Sequence, residues 1–354
     1  MSLPKHTARP RAAVTSKGKS DAMKRTNRWA TIAAAAAVAV TLSACSSTGG
    51  RQATEQAAGG NAGQADTPQM TVAMVTHQAP GDTFWDIIRK GAEAAAAKDN
   101  VQLDYSANPD AAQQAQLIQA AIDKGVDGIA VTSPNTGALG QVIRDAVAAG
   151  IPVTMFNAGG SDAMELGAIC YFGQGETEAG IAVGQRLVEE GATNVLCVIQ
   201  EQGQQQLEDR CAGVTEGASG VTVERLYVNG RDDSAVTTTI QASLTTDPTI
   251  DYVVTLGAPF ALGAVKAVET SGSSAKIGTF DTNAELVKAV QAGEVTWAID
   301  QQPYLQGYLA VDALWLYKFN GNMIGGGQNV ATGPAFIDSA NIEAVAQFAA
   351  NGTR

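Results

Sequence analysis

The sequence predicts an α/β protein built from two doubly wound parallel-sheet lobes, and three observations carry that reading. Short apolar runs alternate with longer segments of helical period from about residue 70 onward. The helical segments stop at glycines (Gly125, Gly150, Gly191, Gly272 and Gly293), where a left-handed residue turns the chain into its next strand. The alternation comes in two sets that divide near Ile169, so one doubly wound unit follows another.

In the first set the strand TVAMVT (71–76) leads into the helix FWDIIRKGAEAAAAK (84–98), and VQLDY (101–105) into AAQQAQLIQAAIDKG (111–125). DGIAVTS (127–133) then precedes GALGQVIRDAVAAG (137–150), and IPVTMF (151–156) supplies a fourth strand. The second set opens with ICYFG (169–173) before EAGIAVGQRLVEEG (178–191) and NVLCVIQ (194–200) before QLEDRCAGVTEG (206–217). It continues with VTVERLYV (221–228) and SAVTTTIQASLTTD (234–247), YVVTLG (252–257) and ALGAVKAVETSG (261–272), and AKIGTF (275–280) and NAELVKAVQAG (283–293). VTWAID (295–300) and the helix LQGYLAVDALWLYKF (305–319) close the pattern. Runs this apolar read as strands buried on both faces, as a parallel sheet covered by helices requires.

Ahead of this body, Lys24, Arg25 and Arg28 precede an apolar run from Trp29 to Leu42 that is too short to span a bilayer as a helix. Leu42-Ser43-Ala44-Cys45 resembles the lipobox of bacterial lipoproteins, which implies that residues 1–44 are a signal peptide and that Cys45 is lipidated. Met23 would start a signal of ordinary proportions. Residues 45–68 are small and polar and read as a flexible tether. The formal charge of the whole chain is −12, and removing eight basic and one acidic side chain with residues 1–44 takes it to −19. Such a balance argues against nucleic acid or anionic lipid as a partner, because both need Lys and Arg against phosphate.

Of the four cysteines, Cys170, Cys197 and Cys211 remain after Cys45. Cys197 ends an apolar strand and Cys211 lies in the next helix, so a disulfide between them and three buried thiols both fit the pattern in a compartment where disulfides persist. With only His6 and His77 and no Cys-x-x-Cys, no metal site is expected. Gly18-Lys19-Ser20 lacks the first glycine of a phosphate loop, and Gly173-Gln174-Gly175 lacks the third of a dinucleotide fingerprint. No Gly-x-Ser-x-Gly elbow exists, so no nucleophile and base are assembled. No cofactor and no catalysis are expected.

The informative residues follow the strands: Asp82, Phe84 and Trp85 after the first, Asn157 after the fourth, and later Asp281 and Gln301. Carboxylates and amides beside aromatic faces suit a neutral polyhydroxyl ligand, whose C–H faces pack on rings while its hydroxyls need planar partners. Each has a plainer reading as well. Phe84 and Trp85 fit a core, Asp281 a helix cap before Asn283, Asn157 a turn, Arg210 a solvated helix face, and His77 a loop-packing role.

From about Thr71 to Asp338 the chain resembles the extracytoplasmic sugar-binding proteins of ABC importers, in particular the ribose-binding-like group of type I periplasmic binding proteins. Asp82 matches the polar residue of that family's first binding loop, and Phe84 and Trp85 its paired aromatic positions. Phe156-Asn157 stands where ribose binders carry Asp-Arg, which removes a charged hydroxyl clamp. Arg210 matches the arginine of an Arg-x-x-Gly-aromatic motif in which Val214 replaces the aromatic. Arg231 falls where ribose binders have an aromatic, and Gly257 where they have Asn or Asp. Phe280-Asp281 and Gln301 match closely.

The resemblance implies two lobes joined by a three-segment hinge, one from 69–172 plus 303–327 and the other from 173–302 plus 328–354. It implies closure over a small neutral sugar or sugar alcohol by His77, Asp82, Phe84, Trp85, Phe156, Asn157, Arg210, Arg231, Asp281 and Gln301. It also implies delivery to ABC permease subunits driven by a cytoplasmic ATPase, from a monomer anchored through Cys45 to the outer face of the cell membrane. Two rivals keep the architecture: a sensor or co-receptor for a nucleoside or signalling furanosyl compound, and a secreted enzyme. A sugar-responsive transcription regulator would need a basic helix-turn-helix where the leader stands.

Overall fold

The computed structural model describes residues 63–354. The expected signal segment, Met23, Cys45 and the expected tether as far as residue 62 lie outside the described residues.

The first lobe begins with β1 (Met70–Thr76), α1 (Phe84–Lys98), β2 (Val101–Ala107), α2 (Ala111–Lys124), β3 (Gly128–Val131), α3 (Thr136–Ala148), β4 (Val153–Phe156) and β5 (Cys170–Gly173). The chain then crosses into the second lobe through α4 (Glu176–Glu189), β6 (Asn194–Ile199), α5 (Gln205–Gly217), β7 (Thr222–Tyr227) and α6 (Asp233–Thr246). That lobe continues with β8 (Tyr252–Thr255), α7 (Ala258–Ser271), β9 (Lys276–Phe280), α8 (Ala284–Ala292) and β10 (Trp297–Asp300). α9 (Pro303–Asn320) and β11 (Asn329–Ala331) return to the first lobe, and β12 (Ala335–Asp338) and α10 (Ile342–Ala350) finish the second.

Each lobe holds a six-stranded sheet, ordered β11-β5-β4-β3-β1-β2 in the first and β12-β10-β9-β8-β6-β7 in the second. All pairings are parallel except β10 with β12. The strand order reverses beside β1 and beside β6, and at such switch points loops leave the carboxyl ends in opposite directions and open a crevice. Two apolar layers cover each sheet. Met74, Phe156 and Phe172 pack under α1 and α9, and Ile129, Leu139 and Met155 under α2 and α3. In the second lobe Val253 and Ile277 face α6 to α8, whereas Cys197, Tyr252 and Trp297 face α4 and α5.

Helix α5 is fixed from two sides. Cys197 of β6 and Cys211 of α5 form a disulfide with Cα atoms 6.0 Å apart, while Cys170 is a buried free thiol. On its other side α5 meets α4 with backbones nearly touching, because Gly180 faces the carbonyl of Arg210 and Gly213 that of Thr177. A methyl group at either glycine would collide with backbone, which cannot step aside as a flexible side chain would.

Two expected boundaries move. β11 pairs with β5 through Asn329–Tyr171 and Val330–Phe172, so residues 329–331 belong to the first lobe's sheet. The third crossing therefore falls after Ala331 rather than at 327/328, since the apolar pattern of so short an edge strand does not say which sheet it joins. The last tether residues are docked, with Ala65 N–H donating to the Lys98 carbonyl at 2.7 Å and Trp315 Nε1 to Thr67 Oγ1 at 3.1 Å. Composition announces a lack of core-forming side chains there, but backbone groups and the Thr67 hydroxyl hold the segment by hydrogen bonds.

Candidate functional site

The carboxyl ends of the strands from both lobes converge on a cleft enclosing about 620 Å³ of space, its open mouth included. The loop after β1 brings His77, Asp82, Phe84 and Trp85, and β4 ends on Asn157. From the second lobe come Gln200, Glu201, Gln206 and Arg210 after β6, then Gly257 and Phe260 after β8. Asp281, Thr282 and Asn283 follow β9, and Gln301 follows β10. Of the sequence-predicted contacts, eight of ten line this cleft.

The aromatic wall is built by rings at right angles. Trp85 packs edge-to-face on Phe84, with centroids 5.4 Å apart, and on His77 at 4.6 Å. Trp85 is 4% exposed and is anchored in the core behind the wall, whereas Phe84 keeps part of its face open to the cleft. Asp82 accepts the Phe84 amide N–H at 3.1 Å, so the carboxylate and the rings are set by one turn of chain. Burial raises the carboxyl of Asp82 above the usual range, against the lowering effect of that amide and of the Trp85 indole.

Opposite stands a polar network that spans the lobes. Gln301 Nε2 donates to Asp281 Oδ1 at 2.7 Å, and Gln301 Oε1 accepts from Asn157 at 3.4 Å and from Gln306 at 3.0 Å. Asn157 and Asp281 have left-handed backbones, with φ of 63° and 66°, which Asn and Asp tolerate better than other side chains. Burial lifts the Asp281 carboxyl to about 7, although Arg210 and the Gln301 hydrogen bond pull it down. Burial also raises Glu201, with Asp82 adding to the rise and Arg231 opposing it.

Arg210 is 3% exposed. Its Nε and Nη2 reach the two oxygens of Glu176 at 2.5 and 3.1 Å, Nη1 donates to the Leu256 carbonyl at 3.3 Å, and the guanidinium lies 4.9 Å from the Phe280 ring centroid. Burial alone would lower its pKa, but the Glu176 carboxylate more than reverses that. His77 is driven the other way, down to about 3, by burial and then by Arg210, and is neutral. Gln206 Nε2 lies 3.3 Å from His77 Nε2, so Nε2 is the acceptor and Nδ1 donates to Thr132 Oγ1 at 2.8 Å. With the Gln205 N–H donating to the Pro134 carbonyl at 3.1 Å, this contact joins the lobes across the cleft.

Two predicted residues stand elsewhere. Phe156 is fully buried in the core beneath α1 and α9, because the strand alternation points its side chain away from the cleft. Arg231 is exposed after β7 and does not line the cleft, although it lies close enough to influence Glu201. Phe260 escaped the sequence reading altogether. A Cβ on Gly257 would lie 3.1 Å from the Phe260 ring and 3.8 Å from Gln200, so these two fill the place of a side chain after β8. Gln200, Thr282 and Asn283 were reachable by the same strand-tip rule that found Asp281.

Comparison with known proteins gives this architecture its relatives. The family model of the periplasmic binding protein domain matches residues 72–321. The xylose/arabinose-binding protein of Sulfolobus acidocaldarius is 27% identical over 261 residues, which cover 69% of this chain and 64% of that protein's length. The ribose import binding protein of Bacillus subtilis is 23% identical over 65% of this chain and 76% of its own. Among solved structures, a carbohydrate transporter of Acidothermus cellulolyticus in complex with myo-inositol is 58% identical, with a TM-score of 0.80 over 81% of this chain and all of that one. A match that runs through both lobes, and a fold that follows from the sequence's own alternation, place this chain in the periplasmic binding protein family.

Proposed function

We propose that the protein is the solute-binding receptor of an ABC importer, which captures a small neutral ring polyol, a sugar or a cyclitol, by closing its lobes and presents it to membrane permease subunits. The observation that carries this is the cleft itself: carboxylates and amides at strand tips face an edge-to-face pair of rings, in a chain 58% identical to one that holds myo-inositol. Phe84 and Phe260 offer faces to the C–H side of a ring. Asp82, Asp281 and the amides accept and donate to hydroxyls, each of which would cost about 1–3 kcal/mol if buried unpaired. Binding that contacts both lobes selects the closed arrangement. No catalytic step belongs to this reading. Lipidation of Cys45 would hold a monomer on the outer face of the cell membrane within reach of its permease.

The test is a thermal-shift and calorimetry panel of myo-inositol, xylose, arabinose, ribose, xylitol and a nucleoside on the purified protein. A true ligand at one hundred times its Kd should add about 2.7 kcal/mol to stability. Alanine at Trp85, Arg210 or Asp281 should abolish that gain. Absence of any shift, or undiminished affinity in all three variants, would overturn the assignment. Mass spectrometry of membrane-bound protein for a lipid on Cys45 tests the anchor.

A further inference from the structure

The cleft is short of positive charge. Its carboxylates are Asp82, Glu201 and Asp281, and the one cation among its lining residues, Arg210, is committed to Glu176 and the Leu256 carbonyl. His77 is neutral, and Arg231 stays outside the lining. Several amide groups already hold protein partners, Asn157 with Gln301 and Gln306, Gln301 with Asp281, Gln200 with Leu256, and Gln206 with Gln204, while the second N–H of Gln301 and of Gln200 and the Asn283 amide stay open. What remains unpaired and buried is Gln200 Oε1, Gln206 Oε1 and the hydroxyl of Thr282. Two of these are pure acceptors, and the free carboxylate oxygens add more.

A hydroxyl brings one donor along with its lone pairs, whereas an ammonium brings three donors and no acceptor. An anionic substituent brings acceptors only and meets like charge. We propose, building on the polyol-binding reading above, that the cleft selects by charge: it takes an amine-bearing ring polyol, a protonated amino sugar or aminocyclitol, more tightly than the neutral parent, and rejects phosphorylated or acidic versions of the same ring. Asp281 and Asp82 are the specificity-determining residues, because they flank the space from opposite lobes and neither forms an ion pair, the nearby Arg210 being bonded to Glu176.

Calorimetry on the intact protein at pH 7 would compare myo-inositol and glucose with their amino-deoxy counterparts, the N-acetylated amines and the monophosphates. At least one amine should bind about tenfold tighter than its parent, equivalent to ~1.4 kcal/mol. Its N-acetyl form should lose that gain, and the monophosphates should bind weakest. Asp281→Asn and Asp82→Asn should each shrink the ratio of amine to parent affinity. If the neutral parents bind and no amine binds more tightly, or a monophosphate matches its parent, charge selection is wrong while the polyol receptor stands. If neither these parents nor their amines bind, charge selection on these rings falls, and the polyol reading stands or falls on the wider panel above.

Discussion

Replacing Asp281 by Asn separates the cost of a buried charge from the shape of the site. The carboxyl is 8% exposed, and its pKa rises from 3.8 to about 7, chiefly through burial. A raised carboxyl holds its proton more firmly folded than unfolded, so its contribution to stability is present below about pH 4 and is lost as pH climbs toward 7. Roughly three pH units at ~1.36 kcal/mol each put the penalty at about 4 kcal/mol by pH 8, an upper bound because lobe opening lets water back in. Asn keeps the Oδ1 that accepts from Gln301 and tolerates the φ of 66°.

The ligand-free variant should therefore match the wild type near pH 4 and exceed it by several kcal/mol at pH 8, with urea unfolding midpoints at the two pH values as the assay. Asp82 and Glu201 are raised by burial as well, but both are present in each protein, so the difference isolates Asp281. The same variant should bind neutral polyols more weakly, having exchanged an anionic acceptor for an amide. A stability gain equal at both pH values, or a loss at pH 8, would refute the reasoning.

Glu176→Gln should cost about 3–5 kcal/mol in unfolding free energy, because it leaves the Arg210 guanidinium buried without its carboxylate. Removing the disulfide with Cys197→Ala and Cys211→Ala closes no 14-residue loop and should cost about 3 kcal/mol in denaturant unfolding, with weaker ligand binding because α5 carries Arg210. Gly180→Ala meets the Arg210 carbonyl and should lower stability by about 1–3 kcal/mol, read as a lower melting temperature together with reduced affinity. Phe84→Ala should weaken binding far more than folding, because that ring is partly open to the cleft, whereas Trp85→Ala should cost about 3–5 kcal/mol in stability besides affinity.

The order of elements was legible because period and glycine punctuation are local signals, and the same rule located Asp82, Asn157, Asp281 and Gln301 at strand tips. The losses have a common cause. Phe156 precedes Asn157 by one residue, and in a strand one residue exchanges core for cleft. The destination of β11 depends on which neighbouring edge is free, which no three-residue pattern encodes. Phe260 enters the site through a side chain that Gly257 lacks, so the sequence shows only the gap and not its occupant. The close contact of α4 with α5 is written as glycines, but their meaning emerges only when Gly180 and Gly213 are seen on facing helices.

On the proposed reading, these features explain why closure would depend on a ligand. Across the cleft the lobes touch directly through contacts such as Gln205 to Pro134, Gln206 to His77 and Asn157 to Gln301. Against these stand the unpaired Gln200 Oε1, Gln206 Oε1 and Thr282 Oγ1, and the buried carboxyls of Asp82 and Asp281. Each such group left without any partner would cost about 1–3 kcal/mol, so a dry, empty closed cleft would carry a penalty of several kcal/mol that solvation of an open one would relieve. Moving a two-state equilibrium from 1:99 to 99:1 requires about 5.5 kcal/mol of differential binding. A guest that pairs three such acceptors at once would supply a bias of that order, to which a ring held between Phe84 of the first lobe and Phe260 of the second would add. On the proposed reading, hydrogen-bond capacity at the strand tips would decide closure, and the rings would decide where the guest sits while it happens.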